Sequence, residues 1–171
     1  MAIEALLAQI KSPVLTAVAR HWDEARGQHL MPGWSDIRPS RLATQLPFVW
    51  AYTYDAANDR FIGRLAGDRI EAIFAKTFRQ TPLEQIFPPR EYEDVFQRAK
   101  RVVGEPAIFR AEGLVFKQLH RFGYGERLML PLAGDGAHGD GILGCTVYNS
   151  IPGDDAGSLP ELDEWHSLAR P

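Results

Sequence analysis

One cysteine, Cys145, occurs in the 171 residues. A lone thiol makes neither an internal disulfide nor a multi-thiolate metal site, so the fold rests on its core, and a reducing compartment fits. Long apolar runs are also missing, and nothing approaches the roughly 20 residues of a membrane-spanning helix. The N-terminal MAIEALLAQIKS has neither the basic segment nor the small-residue cleavage site of a secretory signal. Excess positive charge is absent too: the formal net charge is −3. The densest basic stretch, Arg90 to Arg101, also carries Glu91, Glu93 and Asp94, which reads as a solvated helix face and not as a nucleic-acid footprint. What is present is 45% apolar, 24% charged and 11% aromatic. That composition describes one cytoplasmic globular domain with enough material for a core, and with no membrane or nucleic-acid partner expected.

Catalytic and metal signatures are scarce as well. There is no G-x-S-x-G elbow and no phosphate loop of the G-x-x-x-x-G-K-[ST] type. The histidines, His21, His29, His120, His138 and His166, never stand at H-x-x-x-H spacing, so no metal site is expected from them. Gly134-Asp-Gly136 and Gly139-Asp-Gly141 lack the twelve-residue spacing and final glutamate of a calcium loop, and a hairpin turn explains them better. The chain is not expected to be an enzyme.

Along the chain, Ala2 to Gln9 is an amphipathic helix candidate. Ser12 caps a second helix with Pro13 at its first position, and Gly27 ends it. Pro47 to Tyr54 and Arg60 to Ala66 read as a β-hairpin about a turn at Asp55 to Asp59. Asp68 with Glu71, and Thr81 with Glu84, predict two capped short helices. A longer helix from Arg90 to Val103 carries a stripe of Tyr92, Val95, Phe96, Ala99 and Val102. Strands are expected at Ala107 to Phe122, bent at Gly113, at Glu126 to Leu132 and at Gly141 to Tyr148, with a short helix near Pro160 to Leu168. Two strands, then helices, then three strands argue an α+β fold with an antiparallel sheet.

That order is similar to the PAS fold. Trp22-Asp23-x-x-Arg26-Gly27 and Met31-Pro32-x-Trp34-Ser35-Asp36-Ile37-x-Pro39 resemble the opening of a PAS subfamily of the PAS_5 type, found mostly in alphaproteobacteria. Phe61 to Gly67, Thr81-Pro-Leu-x-x-Ile-Phe87, and Glu126 to Leu132 followed by Asp135-Gly136 resemble it too, so the likeness spans residues 12–149. Gln80 stands where the subfamily often has glycine. The resemblance implies a five-stranded antiparallel sheet in the order 2-1-5-4-3, with helices on one face and an N-terminal helical extension. The expected organisation is an extension over 1–46, a PAS core over 47–149 and a tail over 150–171. It also implies a stand-alone signalling module that binds an unidentified small molecule, or acts as a ligand-free adaptor, and reports through a partner protein or a homodimer.

Light-sensing PAS domains place their flavin-reactive cysteine on a helix, whereas Cys145 lies in a strand pattern. Haem-binding ones usually carry an axial histidine on the long helix, which here has none. Neither haem nor covalent flavin is therefore expected, and the cofactor stays unidentified. Strand and helix faces nominate Trp50, Tyr52, Arg64, Ile73, Phe74, Phe78, Phe96, Met129 and Cys145 as pocket residues, with Phe61 and Phe87 as further core or lining aromatics. Cys145 reads as a small buried hydrophobe or a sensor thiol, and His120 as a sheet histidine or a polar pocket group. Arg64 reads as half of an ion pair or as the donor to an anionic ligand, and Arg110 and Arg127 raise the same question. The later strands are apolar on both faces, so something must cover the outer one. Leu15, Val18 and Trp22 of the second helix are the candidates, over their own sheet or across a dimer interface.

Overall fold

The computed structural model describes residues 2–118, 121–153, 157 and 159–168. Helix α1 (Ala2–Gln9) and helix α2 (Pro13–Arg26) open the chain. The Ser12 hydroxyl accepts the Leu15 N–H at 3.5 Å, Pro13 fills the first helical position, and Gly27 closes α2 at φ 54°. Three short 3-10 turns, Trp34–Asp36, Pro39–Leu42 and Leu46–Phe48, carry the chain to the sheet. Strands β1 (Val49–Asp55) and β2 (Arg60–Ala66) form the hairpin. Helices α3 (Asp68–Phe74), α4 (Leu83–Ile86) and α5 (Pro89–Gly104) follow. Strands β3 (Ala107–Gln118), β4 (Arg121–Leu132), β5 (Gly141–Ile151) and β6 (Leu162–Ser167) complete the chain.

The sheet is antiparallel, with strand order β2-β1-β5-β4-β3-β6. This is the expected 2-1-5-4-3 order with a sixth strand beside β3. The segment expected as a C-terminal helix is that strand. Edge strand β3 offers unpaired N–H and C=O groups to it, and Trp165 packs between the Phe109 ring, 4.8 Å away, and the Arg101 guanidinium. Leu162, which a helix would have docked, is 44% exposed.

Two further expectations are corrected. The single strand foreseen from Ala107 to Phe122 is a hairpin instead, in which Gln118 faces Arg121. Residues 119–120, His120 included, lie outside the described residues, while Gly123 sits inside β4. The register of β3 does shift between Leu114 and Phe116, just past Gly113. Neither capping box forms, because α3 and α4 are preceded by Gly67 and Pro82 without side-chain caps. The Glu71 carboxylate accepts the Phe78 N–H at 3.2 Å, so it ties down the loop after its helix.

Helices α3 to α5 cover one face of the sheet, and the N-terminal helical extension covers the other. Alternation along the strands divides the core into two. On the outer face, Val49, Ile108, Leu128, Leu130, Leu143 and Cys145 pack under α1 and α2. Leu15, Val18 and Trp22 are all 0% exposed there, so they cover the chain's own sheet and are not free to build a dimer interface. The Trp22 indole N–H donates to the Pro131 carbonyl at 2.8 Å. On the inner face, Trp50, Tyr52, Phe61, Phe109, Phe116 and Met129 pack under α3, α4 and α5.

Outer-face charge is paired inside this frame. Arg110, 2% exposed, bonds Glu126 at 2.7 Å, Glu164 at 2.6 Å and Glu112 at 3.0 Å. Glu126 also accepts the Ser12 and Lys11 backbone N–H groups at 2.9 and 3.2 Å, where its charge faces the start of α2. One carboxylate thus fixes the N-terminal helices to β4, and Arg110 carries the tie on to β6. Burial alone would lower the Arg110 proton affinity, but the bonds from Glu164 and Glu126 outweigh it, so its pKa is raised.

Candidate functional site

The inner face closes over a cavity of about 20 Å³ lined by Trp50, Tyr52, Ile70, Phe74, Phe78, Phe87, Val95, Arg98, Phe116, Arg127 and Met129. That is room for little more than one water molecule. Trp50 is held by its indole N–H, which donates to the Thr146 hydroxyl at 2.9 Å, and its ring lies over Gly144, where any side chain would collide with it. Tyr52 stacks against Phe78 at 6.1 Å. Phe74 sits edge-on to Phe78, Phe87 and Phe116 at 5.1 to 5.4 Å. The loop bearing Phe78 is pulled onto β2 by paired backbone bonds, Gly63 N–H to Thr81 and Gln80 N–H to Gly63, both 2.8 Å. Only glycine fits at residue 63, because the Phe78 carbonyl occupies the space a Cβ needs. Gln80 adopts φ 58°, a left-handed conformation that explains why glycine is common there in the resembling sequences.

The polar members of the lining are distinctive. Tyr52 is 3% exposed within this lining. Burial pushes the phenol well above its ordinary range, with the Arg127 charge pulling weakly back. The Arg127 guanidinium donates to the Val115 carbonyl and, at 3.4 Å, to the Thr146 hydroxyl, and lies 5.2 Å from the Phe116 ring centre. Burial first, then the neighbouring Arg98 charge, brings its pKa down to about 10.

Of the nominated pocket residues, Trp50, Tyr52, Phe74, Phe78 and Met129 meet at this cavity. Cys145 does not: it pairs opposite Val49 and Leu128 on the outer face, 1% exposed, where burial holds its thiol protonated far above the usual range. Arg64 does not either. It is exposed, stacks on Trp34 at 4.4 Å, lies outside this cavity and is in no ion pair among the described residues. Ile73 faces a shallow groove beside Phe122 and Tyr148, and Phe96 stacks with Tyr92 at 5.6 Å, away from the cavity. Ile70, Val95, Arg98 and Phe116 complete the lining without having been nominated. Arg98 had a signal, since it follows Val95 by three residues on the apolar stripe of α5.

A family model for the PAS domain, of the PAS_5 type, matches residues 10–147. The chain belongs to the PAS domain family. No curated protein and no solved structure matches it. The matched span takes in α2 and the turns after it, which explains the opening motif physically. In this PAS domain the Met31 N–H donates to Gly136 and the Ala133 N–H to Pro32, so the Met31-Pro32 and Asp135-Gly136 motifs touch. Among the described residues no helix is long and apolar enough to cross a membrane.

Proposed function

We propose that this PAS domain is a sensory module of the cytoplasm, without catalysis of its own, that takes up a small ligand between sheet and short helices and reports through a partner protein. The observation carrying this reading is the aromatic cavity itself, with Arg127 in its wall and no carboxylate within 4.0 Å of that guanidinium among the described residues. A ligand with an apolar body and an anionic or acceptor group would fill the aromatic lining and pair with Arg127. At about 20 Å³ the closed cavity admits no such ligand unless α3, α4 or Phe87 yields. Binding would therefore displace the inner-face helices, and that displacement is the signal.

The same small volume favours a second reading, a ligand-free adaptor whose inner face is solid core. Native mass spectrometry of the purified protein, compared with its denatured mass, separates the two. Added mass that vanishes on denaturation supports the sensor. A bare mass that stays bare after incubation with small-molecule pools, together with an unmoved melting temperature, leaves the adaptor.

A further inference from the structure

Beyond the cavity, the inner face opens into a groove of about 190 Å³ between α5 and β3, sharing Phe87, Arg98, Phe116 and Arg127 with it. Arg98 lies 4.9 Å from the Phe109 ring centre, and among the described residues neither Arg98 nor Arg127 has a carboxylate within 4.0 Å. The two guanidiniums thus flank the passage from groove to cavity with aromatic faces as their main company. Arg110, one strand face away, shows how this chain treats an arginine it uses structurally: three carboxylates surround it. Both guanidiniums are partly buried, and Asp163 acts on Arg127 only from beyond ion-pair distance, so an anion that pairs with them directly gains.

The rim restricts which anion. Glu91, Asp94, Glu161 and Asp163 also line the groove, and Lys117 there is paired with Glu161 at 3.4 Å. Four carboxylates repel a doubly charged phosphate more than a singly charged group. The groove is far roomier than the cavity behind it, about 190 against 20 Å³, and the cavity is apolar.

Resting on the sensory reading above, we propose that Arg127 and Arg98 recognise the carboxylate of a short monocarboxylic acid, whose apolar part displaces Phe87 and enters the cavity beneath Tyr52 and Phe74.

The test is thermal denaturation of the full chain with hexanoate and benzoate, each paired with its neutral counterpart, hexanol and benzyl alcohol, and with inorganic phosphate, all at matched ionic strength. The expected result is a saturable rise in melting temperature for the acids, at least tenfold tighter than for the alcohols, and none for phosphate. Arg127→Met should erase the preference for acid over alcohol, and Arg98→Gln, a substitution on a half-exposed helix position, should weaken it several-fold with the fold intact. Alcohols binding as well as the acids would overturn the proposal and leave the sensory reading standing. Phosphate binding as well as the acids would overturn it in favour of a general anion site. Stabilisation by neither class would overturn the proposal, while the sensory reading is decided separately by the native-mass comparison.

Discussion

Beneath α1 and α2, the outer face of the sheet answers its charges: Arg110 has three carboxylates, and Glu126 has an arginine and two backbone N–H groups. Beneath α3 to α5, the inner face leaves two guanidiniums, Arg98 and Arg127, without a carboxylate within 4.0 Å among the described residues. The covers differ as well. The outer one is a long capped helix docked through a fully buried tryptophan, and the inner one includes helices of seven and four residues without side-chain caps. Short uncapped helices draw their stability from packing alone, so they are the elements that open at least cost. One face of the sheet is a frame, and the other is able to respond.

The comparison breaks most severely if the frame is cut. Trp22→Ala removes the largest fully buried side chain of the outer core together with its bond to Pro131, and should cost about 5 kcal/mol, the upper end for an aromatic truncation. Against a typical total of about 5 to 15 kcal/mol, that leaves a marginal or unfolded chain in urea titration. A loss under about 1 kcal/mol would mean that α2 is not part of the frame. Glu126→Ala is next, at about 4 kcal/mol, because it leaves Arg110 short of a partner and two N–H groups open at the head of α2. The accompanying change should be faster proteolysis near Lys11, as α1 and α2 lose their tie to β4.

Phe74→Ala sharpens the contrast from the other side. Phe74 is 8% exposed and touches three other rings, so truncation should cost about 3 kcal/mol. It also enlarges an existing apolar cavity, which should then take up benzene and recover part of the lost melting temperature. Leu15→Ala on the outer face should show no such recovery, because helix α2 seals it. Equal rescue of both variants would erase the distinction between the faces.

Much of this was legible in the chain. Ser12-Pro13 and Gly27 bracket α2, and Asp55 to Asp59 turns the hairpin, each because a local backbone requirement singles out a residue type. What was not legible is mostly parity. With apolar residues on both faces of β5, hydrophobicity does not say which way Cys145 points; only its pairing with Val49 and Leu128 does. Arg64 was recoverable, since it sits opposite in parity to the fully buried Phe61. The β3–β4 hairpin hid because the sequence has no glycine between Gln118 and Arg121, while Gly123 and Gly125 lie within the strand. Strand β6 hid because Leu162, Trp165 and Leu168 fit a helical spacing, and the edge that recruits them is set by tertiary structure.

The gentlest expected effect is a pH dependence that belongs to the frame. His21, 8% exposed, accepts the Arg38 N–H on Nε2 at 3.0 Å, and His166, paired opposite Ile108 in β6, has a buried Nε2 without a partner among the described residues. Burial lowers the pKa of both; around His21, Glu24 opposes that while Arg41 and Arg38 reinforce it, and around His166, Glu164 opposes and Arg110 reinforces. The unfolded chain therefore binds protons first, near about 6.5, while the folded chain resists. Stability is complete above that value and declines as pH falls from it toward the lower folded values. The depressed carboxylate Glu112, held down by its bond to Lys11, adds a loss only below its ordinary value of 4.5, so the interval from 7.5 to 5.5 isolates the histidines. Urea midpoints across that interval should fall with acidity, and His21→Asn, whose amide oxygen still accepts from Arg38, should make the slope shallower. A flat profile would show that neither ring is held neutral, and that the outer face carries more tolerance for charge than its packing implies.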